Sequence, residues 1–268
     1  MQNKTIEIEN LCYTYPDGTQ ALNNLTLTLS LSERTAILGA NGSGKSTLLY
    51  HLNALIVPQC GSVRIGGQEV TKATADEIRK TVGLLFDNPD NQLFSPTVFD
   101  DICFGPLNLK IDKAEASARA KDTMAAVGIS HLADKSPYNL SLGQKKRCAI
   151  AGILAMRPEI IIMDEPFSGL DPMSLKQFLK ILQELSSQGT AQIISTHDVD
   201  LAYAWADRVI LLSEGRLLCS GGREVLQNRE LVEEAGLMLP YLVEIFAGCG
   251  SVPISNREAN LYVKMLEG

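Results

Sequence analysis

The run Gly39-Ala40-Asn41-Gly42-Ser43-Gly44-Lys45-Ser46-Thr47 constrains this chain more than any other stretch. It fits G-x-x-x-x-G-K-[ST], a loop whose glycines let the backbone turn until successive N–H groups point at phosphate oxygens. Its flanks agree. Thr35-Ala36-Ile37-Leu38 reads as a short buried strand, and residues 46–55 read as a helix whose N-terminus faces the anion. Lys45 then reaches the β- and γ-phosphates, and the Ser46 hydroxyl is placed to ligate Mg²⁺. The first expectation is a nucleotide site on a strand–loop–helix unit.

That unit serves many kinds of phosphate chemistry, so the rest of the chain must narrow the class. Ile160-Ile161-Ile162-Met163-Asp164-Glu165 is an apolar strand ending in two carboxylates. Alternation along a strand sends Asp164 and Glu165 to opposite sides, so the two acids take different tasks. Asp164 suits Mg²⁺, and Glu165 suits the attacking water as a general base. Asn139-Leu140-Ser141-Leu142-Gly143-Gln144 precedes the basic run Lys145-Lys146-Arg147. Ser141 and Gln144 are spaced as a capping box, so a helix is expected from there to about Met156. Its N-terminus, with Ser141 and Gly143, can offer donors to a second phosphate chain. Asp171 and Pro172 suit the N-cap and first turn of a further helix. His197 follows the strand-like Gln192-Ile193-Ile194-Ser195-Thr196, a position suited to meeting a γ-phosphate.

In this order, the loop, L-S-x-G-Q, the strand ending in D-E, S-G-L-D and the late histidine resemble the ATP-binding cassette (ABC) ATPases over residues 4–229. The resemblance implies an α/β fold: a P-loop NTPase core with an antiparallel β subdomain and an inserted helical subdomain. It also implies ATP and Mg²⁺ as ligands, and two cassettes closing head to tail on two ATP molecules. Ser141, Leu142, Gly143 and Gln144 of one cassette would then cover the γ-phosphate held by the other. Glu165 would polarise the water and His197 contact the γ-phosphate. Tyr15, ahead of Pro16-Asp17-Gly18, matches the aromatic that stacks on adenine, with Tyr13 as the competing residue.

A narrower resemblance lies in Asn88-Pro89-Asp90-Asn91-Gln92-Leu93-Phe94, Thr97-Val98 and Phe104-Gly105-Pro106-Leu107-Asn108-Leu109. These look like the ATPases of energy-coupling-factor (ECF) importers, and Thr196-His197-Asp198 through Asp207-Arg208 is similar to the cobalt-type subunit. Nickel and vitamins are the other cargoes of such systems. The expected partners are a second ATPase subunit, as a homodimer, and integral membrane subunits, with the chain peripheral on the cytoplasmic face of the cell membrane. Two positions depart from the family. Leu142 stands where many cassettes have glycine. Asp87 stands where the family has a glutamine that meets Mg²⁺ or the attacking water. Asp87 keeps an oxygen ligand for a hard cation but loses the amide donor, which leaves a regulatory nucleotide-binding protein with weak turnover as an alternative.

Composition is compatible. The 268 residues are 45% hydrophobic and 21% charged, enough for a substantial core. A net charge of -7 argues against a nucleic-acid-binding surface. No apolar run approaches the ~18 residues that span a bilayer, and residues 1–5 carry no signal-peptide pattern. The chain has room for one cassette and one P-loop, with no heptads for an inserted coiled coil. The six cysteines are scattered and read as reduced, mostly buried small hydrophobes.

Residues 4–34 alternate as antiparallel strands, residues 61–70 as a hairpin about Gly66-Gly67, and residues 81–86 as a buried strand. Residues 114–127 read as a helix ended by Gly128. The cassette is expected over 1–228, its helical subdomain over about 87–157, and a short appendage over 229–268. That tail reads as two short helices around Pro240, a loop and a closing helix over 256–266, serving either as packing or as a dimer contact.

Overall fold

The computed structural model describes residues 5–249 and 251–266, with only the backbone described at 262–266. Residues 1–4, part of the stretch read for a leader, Gly250 of the expected loop, and residues 267–268 lie outside the described residues. The strands are β1 (Thr5–Thr14), β2 (Gln20–Ser30), β3 (Thr35–Leu38), β4 (Cys60–Ile65), β5 (Gln68–Glu69), β6 (Val82–Leu85), β7 (Ile160–Asp164), β8 (Ala191–Thr196), β9 (Arg208–Ser213) and β10 (Arg216–Gly222). The helices are α1 (Lys45–Leu52), α2 (Ala75–Thr81), α3 (Val98–Asn108), α4 (Lys113–Ala126), α5 (Leu142–Ala155), α6 (Pro172–Ser187), α7 (Val199–Trp205), α8 (Arg229–Glu234), α9 (Tyr241–Ile245) and α10 (Asn256–Leu266). The chain forms two compact units. One holds residues 1–48, 58–69 and 195–268; the other holds 49–57 and 70–194.

In the first unit β1 lies between β2 and β4, antiparallel to both, and β5 closes the β4 edge. Ile6 and Ile8 alternate inward with Leu25, Leu27 and Leu29, as the period-two pattern requires. Gly66 and Gly67 take φ of 58° and 85° and make the tight β4–β5 turn. Beside this antiparallel sheet, β3 runs parallel to β9 with Leu38 opposite Leu211, and β10 returns antiparallel to β9. β3 is fully buried and delivers the chain into the phosphate loop. The two tail helices flank Pro240 as expected, and α10 covers the expected closing helix.

In the second unit β6 and β7 pair in parallel, and every residue of both is buried. Both are therefore continuous apolar runs rather than alternating ones. Helix α5 is the unit's buried helix: Gly143, Lys146, Ile150 and Ile153 line one stripe. Helix α6 starts where Asp171 and Pro172 set it, with Asp171 accepting from Met173 N and Ser174 N.

Several local expectations shift. The helix after the phosphate loop ends at Leu52, because Ala54 takes a left-handed φ of 56°. α2 directly precedes β6, so the strand begins only at Val82. The cysteines depart furthest. Cys103 and Cys148 are buried, but Cys60 and Cys249 are exposed and Cys12 and Cys219 half-buried, because the strands and tail carrying them have a face in water. Among the described residues no helix is long and apolar enough to cross a membrane.

The Arg34–Asp207 ion pair holds the β3–β9 register at its entrance. Arg34 Nε and Nη2 donate to Asp207 Oδ2 and Oδ1 at 2.9 and 2.8 Å, and its guanidinium lies 5.7 Å from the Trp205 ring centroid. Asp207 N and Arg208 N both donate to the Arg34 carbonyl. The hydrogen bond from Arg34 holds the Asp207 carboxyl below the usual carboxylate range, against the opposing effect of burial. A depressed carboxyl stabilises the fold above its unfolded pKa of about 4, and that contribution fades as pH falls through the lowered value. Because the pair is partly exposed, Asp207→Asn should lower unfolding free energy by about 1 kcal/mol at pH 7. The gap should narrow as pH falls below about 4. Urea unfolding at pH 7 and at about pH 3 checks this, and an equal gap at both would contradict it.

Candidate functional site

In the first unit the phosphate loop has the strained geometry its glycines anticipate. Gly42 and Gly44 have φ of 82° and 100°, and a Cβ at Gly44 would stand 2.5 Å from the Ala21 carbonyl oxygen. A Cβ at Gly39 would overlap the Leu212 carbonyl oxygen. Lys45 is buried, and its Nζ donates to the carbonyls of Gly39 and Ala40 at 2.8 and 3.1 Å, tying the lysine across the loop. Ser43 Oγ is buried with no hydrogen-bond partner, an orphan that a phosphate oxygen would satisfy. Two of the loop's N–H groups are engaged by the protein itself: Ala40 N donates to Ala235 O and Ser43 N to Ala40 O. Asn41 lies exposed at the loop's crown, and Ser46 and Thr47 lie in the first turn of helix α1.

Tyr15 and His197 belong to the same unit. The Tyr15 hydroxyl shares a 3.0 Å hydrogen bond with Thr47 Oγ1, so its ring stands beside the loop's exit. Tyr13 packs edge-on against it, with centroids 5.0 Å apart. His197 follows the end of β8, exposed, and lines a cleft of about 420 Å³ with Ala40, Asn41, Asp198, Gly236 and Met238. The tail thus forms one wall of the cleft that holds His197 and the start of the phosphate loop.

In the second unit the carboxylates gather around a residue that motif reading passes over. Asp164 ends β7 almost fully buried, whereas Glu165 is half-exposed. Their divergence does not come from strand alternation, as the sequence suggested. Glu165 leaves the strand with a left-handed φ of 42°, a costly backbone state for a non-glycine residue. Lys146 holds that turn. Its side chain is 1% exposed, and its Nζ donates to the carbonyls of Glu165, Pro166 and Ser168 at 2.9, 3.2 and 2.9 Å. Burial pushes the Lys146 ammonium below the ordinary lysine range, while the charges of Asp87, Glu165 and Asp164 pull it back up. Exposed Asp87 therefore stands in the same field as the two carboxylates that end β7. Gln92 is committed elsewhere: it accepts from Phe86 N and donates to Ala149 O.

The N-terminus of α5 has both arms of the capping box. Ser141 Oγ accepts from Gln144 N at 3.4 Å, and Gln144 Oε1 accepts from Ser141 N at 3.0 Å. The Ser141 bond uses an acceptor lone pair and leaves the hydroxyl proton to donate. Capping and phosphate contact are therefore compatible. Gly143 is buried against α6, and a Cβ there would stand 2.6 Å from Ser174 Oγ. Exposed Leu142 projects outward beside it. Lys146 was legible in principle, since it falls on the same helical stripe as Gly143, Ile150 and Ile153, yet a basic run reads first as a solvated face.

A phosphate loop, a buried acid closing a parallel strand and a capped L-S-x-G-Q helix define a nucleotide-hydrolysing cassette, and comparison with known proteins agrees. Residues 22–168 match the family model for the ABC transporter. The chain is 46% identical over 260 residues to the "Energy-coupling factor transporter ATP-binding protein EcfA" of Carboxydothermus hydrogenoformans, covering 96% of each. It resembles the structure of cbiO1 from Clostridium perfringens, "part of the ABC transporter complex cbiONQ", at 38% identity and a TM-score of 0.75. That match covers 90% of this chain and 98% of the other. It also resembles the ATP-binding cassette MJ0796, solved as a dimer in a post-hydrolysis state with ADP and Pi, at 28% identity and a TM-score of 0.75, covering 81% and 98%. The chain belongs to the ABC transporter ATPases, and within them to the energy-coupling-factor ATP-binding proteins. It is an ATPase.

Lys146 yields a direct test. Lys146→Met keeps an unbranched side chain of similar length but strands three carbonyls. It should cost about 3 kcal/mol of unfolding free energy and lower ATPase turnover while leaving nucleotide affinity within a factor of about three. Urea unfolding and equilibrium nucleotide binding measure the two effects, and unchanged turnover would contradict the positioning role.

Proposed function

We propose that the chain is the ATP-hydrolysing subunit of an ECF-type importer whose cargo is the cobalt ion. The similarity to cbiO1, a component of a cbiONQ complex, over 90% of this chain is the observation that carries this reading. A second copy and integral membrane subunits are its partners, at the cytoplasmic face of the membrane. In this reading residues 1–228 are the cassette, with its helical subdomain at about 87–157, and 229–268 is the appendage that walls the His197 cleft.

The roles follow from chemistry. The orphan Ser43 Oγ, the loop backbone around Gly42 and Gly44, and Lys45 hold the phosphate chain, and Tyr15 carries the adenine face. Hard oxygen donors at Ser46, Asp164 and Asp87 suit Mg²⁺, which when bound neutralises phosphate charge and orients the leaving group. Glu165 accepts the proton of the attacking water. His197 meets the γ-phosphate. Ser141, Gly143 and Gln144 act on the nucleotide of the second copy. Asp87 introduces a negative charge where phosphates gather, which is costly away from bulk water unless a cation lies between.

Steady-state ATPase activity against free Mg²⁺ tests these roles together. Glu165→Gln should lower turnover by about 10²–10⁴ at every Mg²⁺ concentration while ATP binding persists. Asp87→Gln should raise basal hydrolysis and lower the Mg²⁺ requirement, and Asp87→Ala should not reproduce both effects. Coincident curves for the Asp87 variants and the unaltered chain would remove Asp87 from the site. Near-normal turnover in Glu165→Gln would remove the base.

A further inference from the structure

Cys12 and Cys60 are directly opposite residues of the antiparallel β1–β4 pair. An irregularity in the ladder between Glu9 and Cys12, with Asn10 at a left-handed φ of 49°, re-aims the end of β1. Both sulfurs consequently converge on one acceptor. Cys12 Sγ lies 3.7 Å and Cys60 Sγ 3.8 Å from the Asn10 carbonyl oxygen. The neighbouring Cys12 thiol holds the Cys60 thiol above the ordinary range. Cys12 Sγ accepts from Asn24 N at 3.3 Å. Cys60 is exposed and Cys12 half-buried, so a reagent arriving from water meets Cys60 first.

Directly opposed residues of an antiparallel pair have Cα atoms about 4.5–5.5 Å apart, inside the span a disulfide bridges. Cys60 is the first residue of β4, where the backbone can adjust without breaking a ladder on both sides. Neither cysteine has a task in the ATPase chemistry above.

We propose that Cys12 and Cys60 form a reversible dithiol–disulfide site that takes low-molecular-weight disulfides as oxidant. The Cys60 thiolate attacks one sulfur of the small disulfide, forming a mixed disulfide and expelling one thiolate, which takes up a proton. The Cys12 thiolate then attacks Cys60 Sγ and expels the second small thiol. Two protein thiols lose two electrons to one protein disulfide, and one small disulfide becomes two thiols. The bridge ties β1 to β4 immediately beside the Gln59 side chain, which already clamps Thr14 through its N and O at 2.8 and 2.9 Å, one residue before Tyr15.

The test uses the full chain with oxidised glutathione, followed by alkylation of remaining thiols and peptide mass mapping. The expected product is one peptide pair joining Cys12 to Cys60, lighter by two hydrogens and restored by dithiothreitol. The glutathione adduct at Cys60 should stay below about a tenth of the bridged form, because the second thiol is already positioned. Cys12→Ser should trap that adduct at Cys60. A stable adduct at Cys60 of the unaltered chain with Cys12 still alkylated would overturn the proposal. So would two unreacted thiols at these positions while the exposed Cys249 is modified.

Discussion

The second unit depends on a cation buried where water cannot reach it. Lys146 sits on the inner stripe of α5 and spends its donors on three carbonyls of the turn that follows β7. An ammonium in that position is tolerable only when those carbonyls, and the carboxylates of Asp87, Glu165 and Asp164 around them, compensate its lost hydration. The dependence runs both ways. Glu165 holds an unfavourable left-handed backbone, and a turn of that kind persists only when its surroundings over-determine it. The helix that carries the L-S-x-G-Q sequence at its capped end therefore also holds the backbone of Glu165 in place. Four residues separate Ser141 from Lys146, little more than one turn of helix.

That arrangement gives the L-S-x-G-Q helix two faces with separate tasks. Its N-terminus presents Ser141, Leu142 and the end of the helix dipole outward. Its inner stripe reaches back to the chain's own carboxylate turn. In the proposed head-to-tail pair, contact with a neighbour's nucleotide at one end of α5 would be mechanically continuous with Glu165, the proposed general base of its own chain, through Lys146. The first unit holds its share of the residues in the same economical way: β3, locked to β9 by Arg34 and Asp207, leads directly into the phosphate loop, while Tyr15 closes on Thr47.

Much of this was legible because the signals were local. Glycines at fixed offsets before Lys45, the capping box at Ser141, and Asp171-Pro172 ahead of α6 each specify backbone geometry within a few residues. The structure places each of them as read. What escaped was set by tertiary packing. Lys146 reads as one of three basic residues, and only burial of its helix face turns it into a clamp. Glu165 follows an apolar strand, but its backbone turns left-handed there, in a turn held by Lys146 and by Ser168 N, instead of continuing the alternation. The cysteines were read as mostly buried from residue type alone, yet the kink at Asn10 brings Cys12 and Cys60 together on a wet sheet face. Short helices such as α2 and α7 are too brief for periodicity to reveal.

The central claim is that one chain's phosphate loop is completed by another chain's Ser141 segment. ATPase activity measured against protein concentration, with sedimentation in parallel to fix the monomer–dimer range, tests it most directly. The account predicts that activity per chain rises with concentration below the dimer dissociation constant and levels off above it. Activity per chain that stays constant from monomer to dimer would contradict it.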